Sequence, residues 1–388
     1  MSEVAIDKWN IFIVMFLMSL IMSIQAPIFT PYAVTMGASS VLVGIMLSAA
    51  QLANLTGNLI AGPLVDRFGK RVFITLPMFV SGILFMGHGF ISDTAGLLVL
   101  RTMNGFSLAF LLPAALALLS GYAGNSQQQG KNMAINGILG TIASIIAPLI
   151  GGNLGALIGY ANTYFVIGAV LIVTFLYTIL FLKDRQIIVV KKKNTLQTWS
   201  IMSLLARPTL HIVFLTGFAV MYIHGVIVYE VPYLTVEKGL STVTTGQLFS
   251  FMAIGTLLSL SLFFIHRFDA IKRLIVGLFG MCMVLFAIFN DLVALQLLLL
   301  LMGFCLGVIM PAMAIAVTDE VSREGHGRAF GLMSAIYSLG MILGTFVTGI
   351  IREMISPYFI AFLIGMLVLA FIGYLKLHVP QSTHSKVY

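Results

Sequence analysis

Apolar residues in this chain come in long runs, and the polar residues collect between them. A membrane-crossing helix needs roughly 20 apolar residues. Hydropathy, read against charges and turn signals, gives twelve such runs: about 11–32, 41–64, 72–91, 95–119, 132–157, 163–182, 209–233, 243–265, 273–290, 292–317, 328–350 and 357–377. The closest pair flanks Asn290-Asp291, where a two-residue break separates the ninth and tenth runs. The expectation is an all-α integral membrane protein with twelve transmembrane helices.

Composition agrees: 60% of the 388 residues are hydrophobic and 9% are charged, against about a quarter charged in an ordinary soluble domain. Such a chain cannot cover itself with water-compatible groups, so a lipid bilayer is its expected partner. The net charge of +8 would suit nucleic acid if the cations were clustered on a soluble face. Their placement says otherwise. With the N-terminus inside, 18 of the 21 lysines and arginines fall on cytoplasmic segments, as the positive-inside rule requires. Lys238 and Arg352 fall outside, and Arg101 falls within the fourth run. No nucleic-acid partner is needed, and both termini are expected in the cytoplasm of a plasma (inner) membrane. Cys282 and Cys305 lie inside apolar runs, so no disulfide is expected.

The order of elements repeats. Pro31-Tyr32, Gly37, Gly44 and Ser48 are matched by Pro232-Tyr233, Gly239, Gly246 and Ser250. Arg67-Phe68 is matched by Arg267-Phe268, and Gly130-Lys131 by Gly327-Arg328. The common order predicts a duplicated six-span unit. The domains follow: 1–182 as an N-terminal six-helix bundle, 183–207 as a cytoplasmic linker carrying Lys191-Lys192-Lys193 with an interfacial turn near Trp199, and 208–388 as a C-terminal six-helix bundle with a short cytoplasmic tail.

One turn is more specific than the rest. Gly62-Pro63-Leu64-Val65-Asp66-Arg67-Phe68-Gly69-Lys70-Arg71 puts four charges in six residues between the second and third runs. Those charges cannot lie in hydrocarbon, so the segment is a tight hydrophilic turn. Gly69 suits a position needing φ > 0, and Gly62 would let another helix approach closely. The pattern Gly-x-Leu-x-Asp-Arg-x-Gly-Lys-Arg resembles the loop between helices 2 and 3 of major facilitator superfamily transporters. In the fifth run, Ala134, Ala143, Ala147-Pro148 and Gly151-Gly152 partly resemble a glycine-rich motif of that superfamily's exporters, with alanine at three glycine positions. Around Arg101, Leu97-x3-Arg101-x2-Asn104-Gly105 resembles the fourth-span motif of its proton-coupled antiporters. The resemblance implies two pseudo-symmetric six-helix bundles, a gating role for Gly62, Asp66, Arg67, Gly69, Lys70 and Arg71, and a role in proton coupling for Arg101.

Polar groups inside a membrane cost energy unless they face a cavity or a partner, so each is a candidate. Glu230 is the carboxylate expected inside a span away from the cytoplasmic end, flanked by Tyr229 and Tyr233. It is expected to carry a proton or hold a cation. Ser48, Gln51, Asn54, Asn58, Gly62 and Asp66 share one helical stripe. Gln25, Asn54, Asn104 and Asn136, with Glu230, form the expected substrate-binding set. For His224 a packing role is favoured.

There is no nucleotide-binding loop, metal-spaced cluster or catalytic constellation, so no enzyme, cofactor or metal is expected. The reading is a secondary transporter, acting as a monomer, that exchanges protons for a small amphipathic or cationic molecule and exports it. Proton-coupled import of a sugar, amino acid or other metabolite is one alternative. A membrane receptor that binds without transport is another.

Overall fold

The computed structural model describes residues 3–184, 201–205, 207–322 and 325–378. They form α1 (Glu3–Ile24), α2 (Phe29–Thr35), α3 (Ser40–Phe68), α4 (Val72–Phe90), α5 (Thr94–Leu108), α6 (Leu111–Gly121), α7 (Ser126–Ile158), α8 (Tyr160–Phe181), α9 (Ile201–Leu205), α10 (Pro208–Glu237), α11 (Thr242–Ser261), α12 (Ala270–Phe289), α13 (Leu295–Glu320), α14 (His326–Ile351) and α15 (Pro357–His378). Among these residues, twelve stretches are long and apolar enough to cross a membrane, with α5 and α6 together making one of them. The expected linker lies, from 185 to 200, outside the described residues, and Trp199 with it.

Local chemistry explains where the helices break. The first run is interrupted at Gln25–Ile28, where Pro27 has no N–H to give and its ring displaces the carbonyl one turn earlier. Ser23 O instead accepts from Ala26 N at 3.2 Å, and α2 restarts from Phe29. The fourth run breaks at Ala109-Phe110, one turn before Pro113, for the same reason. Between α12 and α13 the expected two-residue break is a longer turn, 290–294, in which Asp291 takes φ 52°. Aspartate is among the few residues that accept this conformation.

Packing divides the chain into two bundles. One core cluster contains Ile11, Met46, Met78, Leu118 and Tyr164, and is drawn from α1–α8. The other contains Val213, Ile223, Met281, Leu299 and Met313, and is drawn from the helices after 200. Tyr229 of α10 crosses over and packs in the first cluster. Phe90, Leu157 and Leu180 stand more than two-thirds exposed on the outside, a surface suited to lipid rather than water. The molecule is thus a multi-pass membrane protein of two six-helix bundles.

The repeat is visible in the backbone. Gly37 and Gly239, at matching places after α2 and α10, both take positive φ, 87° and 63°. Gly69 takes φ 98° in the basic turn, the conformation its position calls for. That turn marks one end of the molecule, called here the basic end. The turns holding Gly37 and Gly239 lie at the opposite end.

Candidate functional site

Four helices join the bundles: α3 packs on α14, and α7 on α11. Near the opposite end these pairs meet backbone against backbone. A Cβ on Gly44 would lie 2.9 Å from the Thr345 carbonyl oxygen and 3.0 Å from Gly349 Cα. Any side chain there would force the helices apart. A Cβ on Gly152 would meet the Thr242 carbonyl, and one on Gly246 the Pro148 carbonyl. Hydrogen bonds fasten the same region. Ser40 Oγ donates to Glu353 Oε1 at 2.7 Å, and the Tyr229 hydroxyl to Ser40 O at 2.6 Å. Thr242 Oγ1 donates to Gly152 O at 2.9 Å, and Ser250 Oγ to Ile145 O at 2.7 Å. These bonds between the bundles all lie in the same half of the molecule.

Toward the basic end the same helices separate. Cβ atoms built on Gly62, Gly130, Gly137, Gly327 and Gly331 would meet nothing within 4 Å. The close approach expected of Gly62 is therefore absent here, because the bundles splay at this end. Around Gly62, Arg67 stands exposed, and Arg71 donates to the Ile179 carbonyl on α8, within its own bundle. Lys70 is half-buried, and the side chain of Asp66 lies outside the described residues.

Between the closed and open ends lies the candidate site, two cavities that share Met22, Gln25, Arg101 and Val228 in their walls. One is about 640 Å³, the other about 180 Å³. Both bundles contribute, with α1, α3, α5 and α7 on one side and α10, α11, α13 and α14 on the other.

Arg101 is the charged centre. It donates to Gln25 Oε1 and its guanidinium carbon sits 4.1 Å from the centre of the Phe29 ring. Both partners flank the break after α1: Gln25 stands in the interruption and Phe29 begins α2. Arg101 Nε is buried without a hydrogen-bond partner. Three residues on, Asn104 is 1% exposed, and neither its Oδ1 nor its Nδ2 has a partner. A buried amide with both polar atoms unmet is costly unless something supplies the missing bonds, and Asn104 lines the smaller cavity. Asn54 lines it too, while donating to Gly105 O at 3.1 Å and accepting from Asn58 Nδ2 at 2.9 Å.

Two members of the expected set lie elsewhere. Asn136 sits half-buried on α7, outside both cavity walls, which take Gly137, Gly140, Thr141 and Ser144 from that helix. Glu230 is not isolated and does not line the cavity. It accepts from Arg352 Nε at 3.0 Å at the opposite end. Arg352 also grips Glu237, at 2.8 and 3.1 Å, and lies 3.7 Å over the Tyr233 ring. Glu230 looks isolated only along the sequence, because its partner comes 122 residues later from the end of α14. Arg352, an exception to the charge rule, is thereby neutralised by two carboxylates.

His224 reverses its sequence reading. It lines the larger cavity and makes no hydrogen bond among the described residues. Its only sequence signal is a one-turn spacing to Val228, which shares the cavity wall.

The chain has recognisable relatives. The family model described as Major Facilitator Superfamily matches residues 11–290 and again 264–387. Multidrug resistance protein MdtG of Rahnella sp. is 23% identical over 349 residues, covering 85% of this chain and 82% of its own. The 4-hydroxybenzoate transporter PcaK of Acinetobacter baylyi is 27% identical over 217 residues, covering 54% of this chain and 43% of its own. Among solved structures, a mutant form of the nucleoside transporter NupG superposes with a TM-score of 0.80 at 16% identity, covering 95% of this chain and 99% of its own.

Proposed function

We propose, from the premise that this chain belongs to the Major Facilitator Superfamily, that it carries a small organic molecule across the plasma membrane by alternating access, as a proton-coupled exporter. The observation that carries the reading is the cavity, walled by both bundles at mid-height, sealed at one end and open at the other. A carrier of this fold exposes one site to each side in turn by rocking its halves.

The basic end is assigned to the cytoplasm on its cations, as are both termini. The described conformation is then inward-open, ready to load from inside. Gly62, Asp66, Arg67, Gly69, Lys70 and Arg71 are assigned to hold this end when it closes. Arg101 is assigned to couple transport to the proton gradient, and the chain to act as a monomer. Export is supported by the likeness to MdtG, whose name marks it as a multidrug resistance protein. The cation preference expected from Glu230 is not retained, since Arg352 occupies that carboxylate. Import of a metabolite is the second reading, and the partial likeness to PcaK, named as a 4-hydroxybenzoate transporter, supports its substrate class.

Reconstitution in liposomes tests this. A carrier exchanges labelled for unlabelled substrate in counterflow; a receptor binds without exchange. An imposed pH gradient should drive accumulation against the substrate gradient, and Arg101→Ala should abolish the drive. Wild-type proton drive in Arg101→Ala would remove that residue from the coupling.

A further inference from the structure

The charges around the cavity are unbalanced. Arg101 stands in both walls, and among the described lining residues there is no aspartate or glutamate. Carboxylates toward the helix ends are engaged elsewhere: Glu230 and Glu237 on Arg352, Glu353 on Ser40, Glu320 on Arg207, and Asp93 capping α5. The guanidinium has one neutral acceptor, the Gln25 side-chain oxygen, and one ring face. A buried cation without a counter-charge is strongly disfavoured, and a planar fork with an unmet N–H is shaped to take a carboxylate through two bonds.

The rest of the lining fits the same kind of guest. Asn104 supplies an unused donor and acceptor, and His224 an imidazole that makes no hydrogen bond among the described residues. Met22, Leu47, Val228, Phe249 and Met252 supply apolar surface.

We propose that this cavity takes organic anions: small apolar molecules bearing a carboxylate or comparable acid, the acid on Arg101 and the body on the methionines and Phe249. The proposal rests on the reading of the cavity as a carrier's substrate site and narrows it to one charge class. A cationic guest would meet Arg101 with no compensating carboxylate in the described walls.

The sign of the site is measurable without knowing its natural guest. Ser144 lines the larger cavity. In Ser144→Cys, the introduced thiol is modified with sulfonatoethyl and trimethylammonioethyl methanethiosulfonate, each rate divided by its rate on a free thiol, with wild type giving the background of Cys282 and Cys305. The anionic reagent should react about tenfold faster, the scale on which a one-signed cleft enriches opposite charge. Arg101→Gln in the same background should bring the ratio close to one. A ratio at or below one with Arg101 intact overturns the proposal.

Guests are then compared as a matched set: 3-phenylpropionate, 3-phenylpropanol and 3-phenylpropylamine. The acid should slow modification of the introduced thiol and raise the Tm of wild type, with Arg101→Gln losing both effects. Protection by the amine, or no protection by acids of any chain length tried, overturns the proposal. An acid that protects but is not exchanged in counterflow upholds the charge class and overturns the carrier reading instead.

Discussion

Gly44 and Gly62 sit on the same helix, about five turns apart, and have opposite surroundings. Gly44 touches the backbone of α14, whereas Gly62 faces open space. The pattern repeats on α7, with Gly152 in contact and Gly130 and Gly137 free, and on α14, with Gly349 in contact and Gly327 and Gly331 free. Small residues are thus spaced along the whole seam, while contact is made at one end only. A glycine at a helix interface reports the capacity for close approach; the conformation decides where that capacity is used. Those at the open end are suited to the state in which the basic end closes.

The closed end can be tested first at the ion cluster inside the second bundle, where α14 meets α10. Arg352→Ala leaves Glu230, whose side chain is 6% exposed, buried without its partner. Breaking such a pair costs about 3–5 kcal/mol, so Tm in detergent should fall sharply. Adding Glu230→Gln should restore most of the loss. An unchanged Tm would mean that this ion cluster adds little to the stability of the second bundle.

Gly44→Leu comes next. Overpacking costs about 1–3 kcal/mol, and here the neighbouring atoms are backbone. The opposite end should open, and a thiol placed at Ser48, buried one turn past Gly44 on α3, should become labelled about tenfold faster, since about 1.4 kcal/mol is one factor of ten. Slower or unchanged labelling would show that α14 yields without opening the seam.

Ser40→Ala is smaller. It removes the hydroxyl from Glu353 but keeps the carbonyl that accepts from Tyr229, so about 1 kcal/mol is expected. Labelling at Ser48 should rise only a few-fold. Smallest is Gly62→Ala. With nothing near its Cβ, it should leave Tm unchanged or raise stability by up to about 1 kcal/mol through helix propensity, yet slow transport by obstructing closure of the basic end. A fall in Tm would place a neighbour against Gly62.

Much of the fold is legible in the sequence because hydropathy and charge placement report directly on the bilayer. The twelve spans, the turn at Gly69 and the matched glycines of the two halves need no tertiary information. The proline breaks are local too: Gln25 already stands where Pro27 weakens the ladder. Cavity membership is harder. Arg101 and Gln25 can be picked out as expensive polar groups, but Glu230 looks solitary because Arg352 lies 122 residues away. His224 and Asn136 are misread because both lie on helices whose faces are decided by the partner bundle. Asp66 has a legible sequence context, but its side chain is outside the described residues.

The matched positive-φ glycines, Gly37 and Gly239, acquire another meaning beside the cavity lining. The duplicated turns are alike in shape, while the strongly polar lining is lopsided. Gln25, Gln51, Asn54, Arg101 and Asn104 all belong to the first copy, and the second answers with His224, Thr256 and Thr345. A doubled scaffold permits this division of labour: one copy specialises in telling molecules apart, and its twin is free to drift in chemistry as long as it keeps the shared mechanics. Changes in the polar group a substrate presents should therefore arise mainly by variation in the first half of the chain, while the second half sets much of the apolar lining.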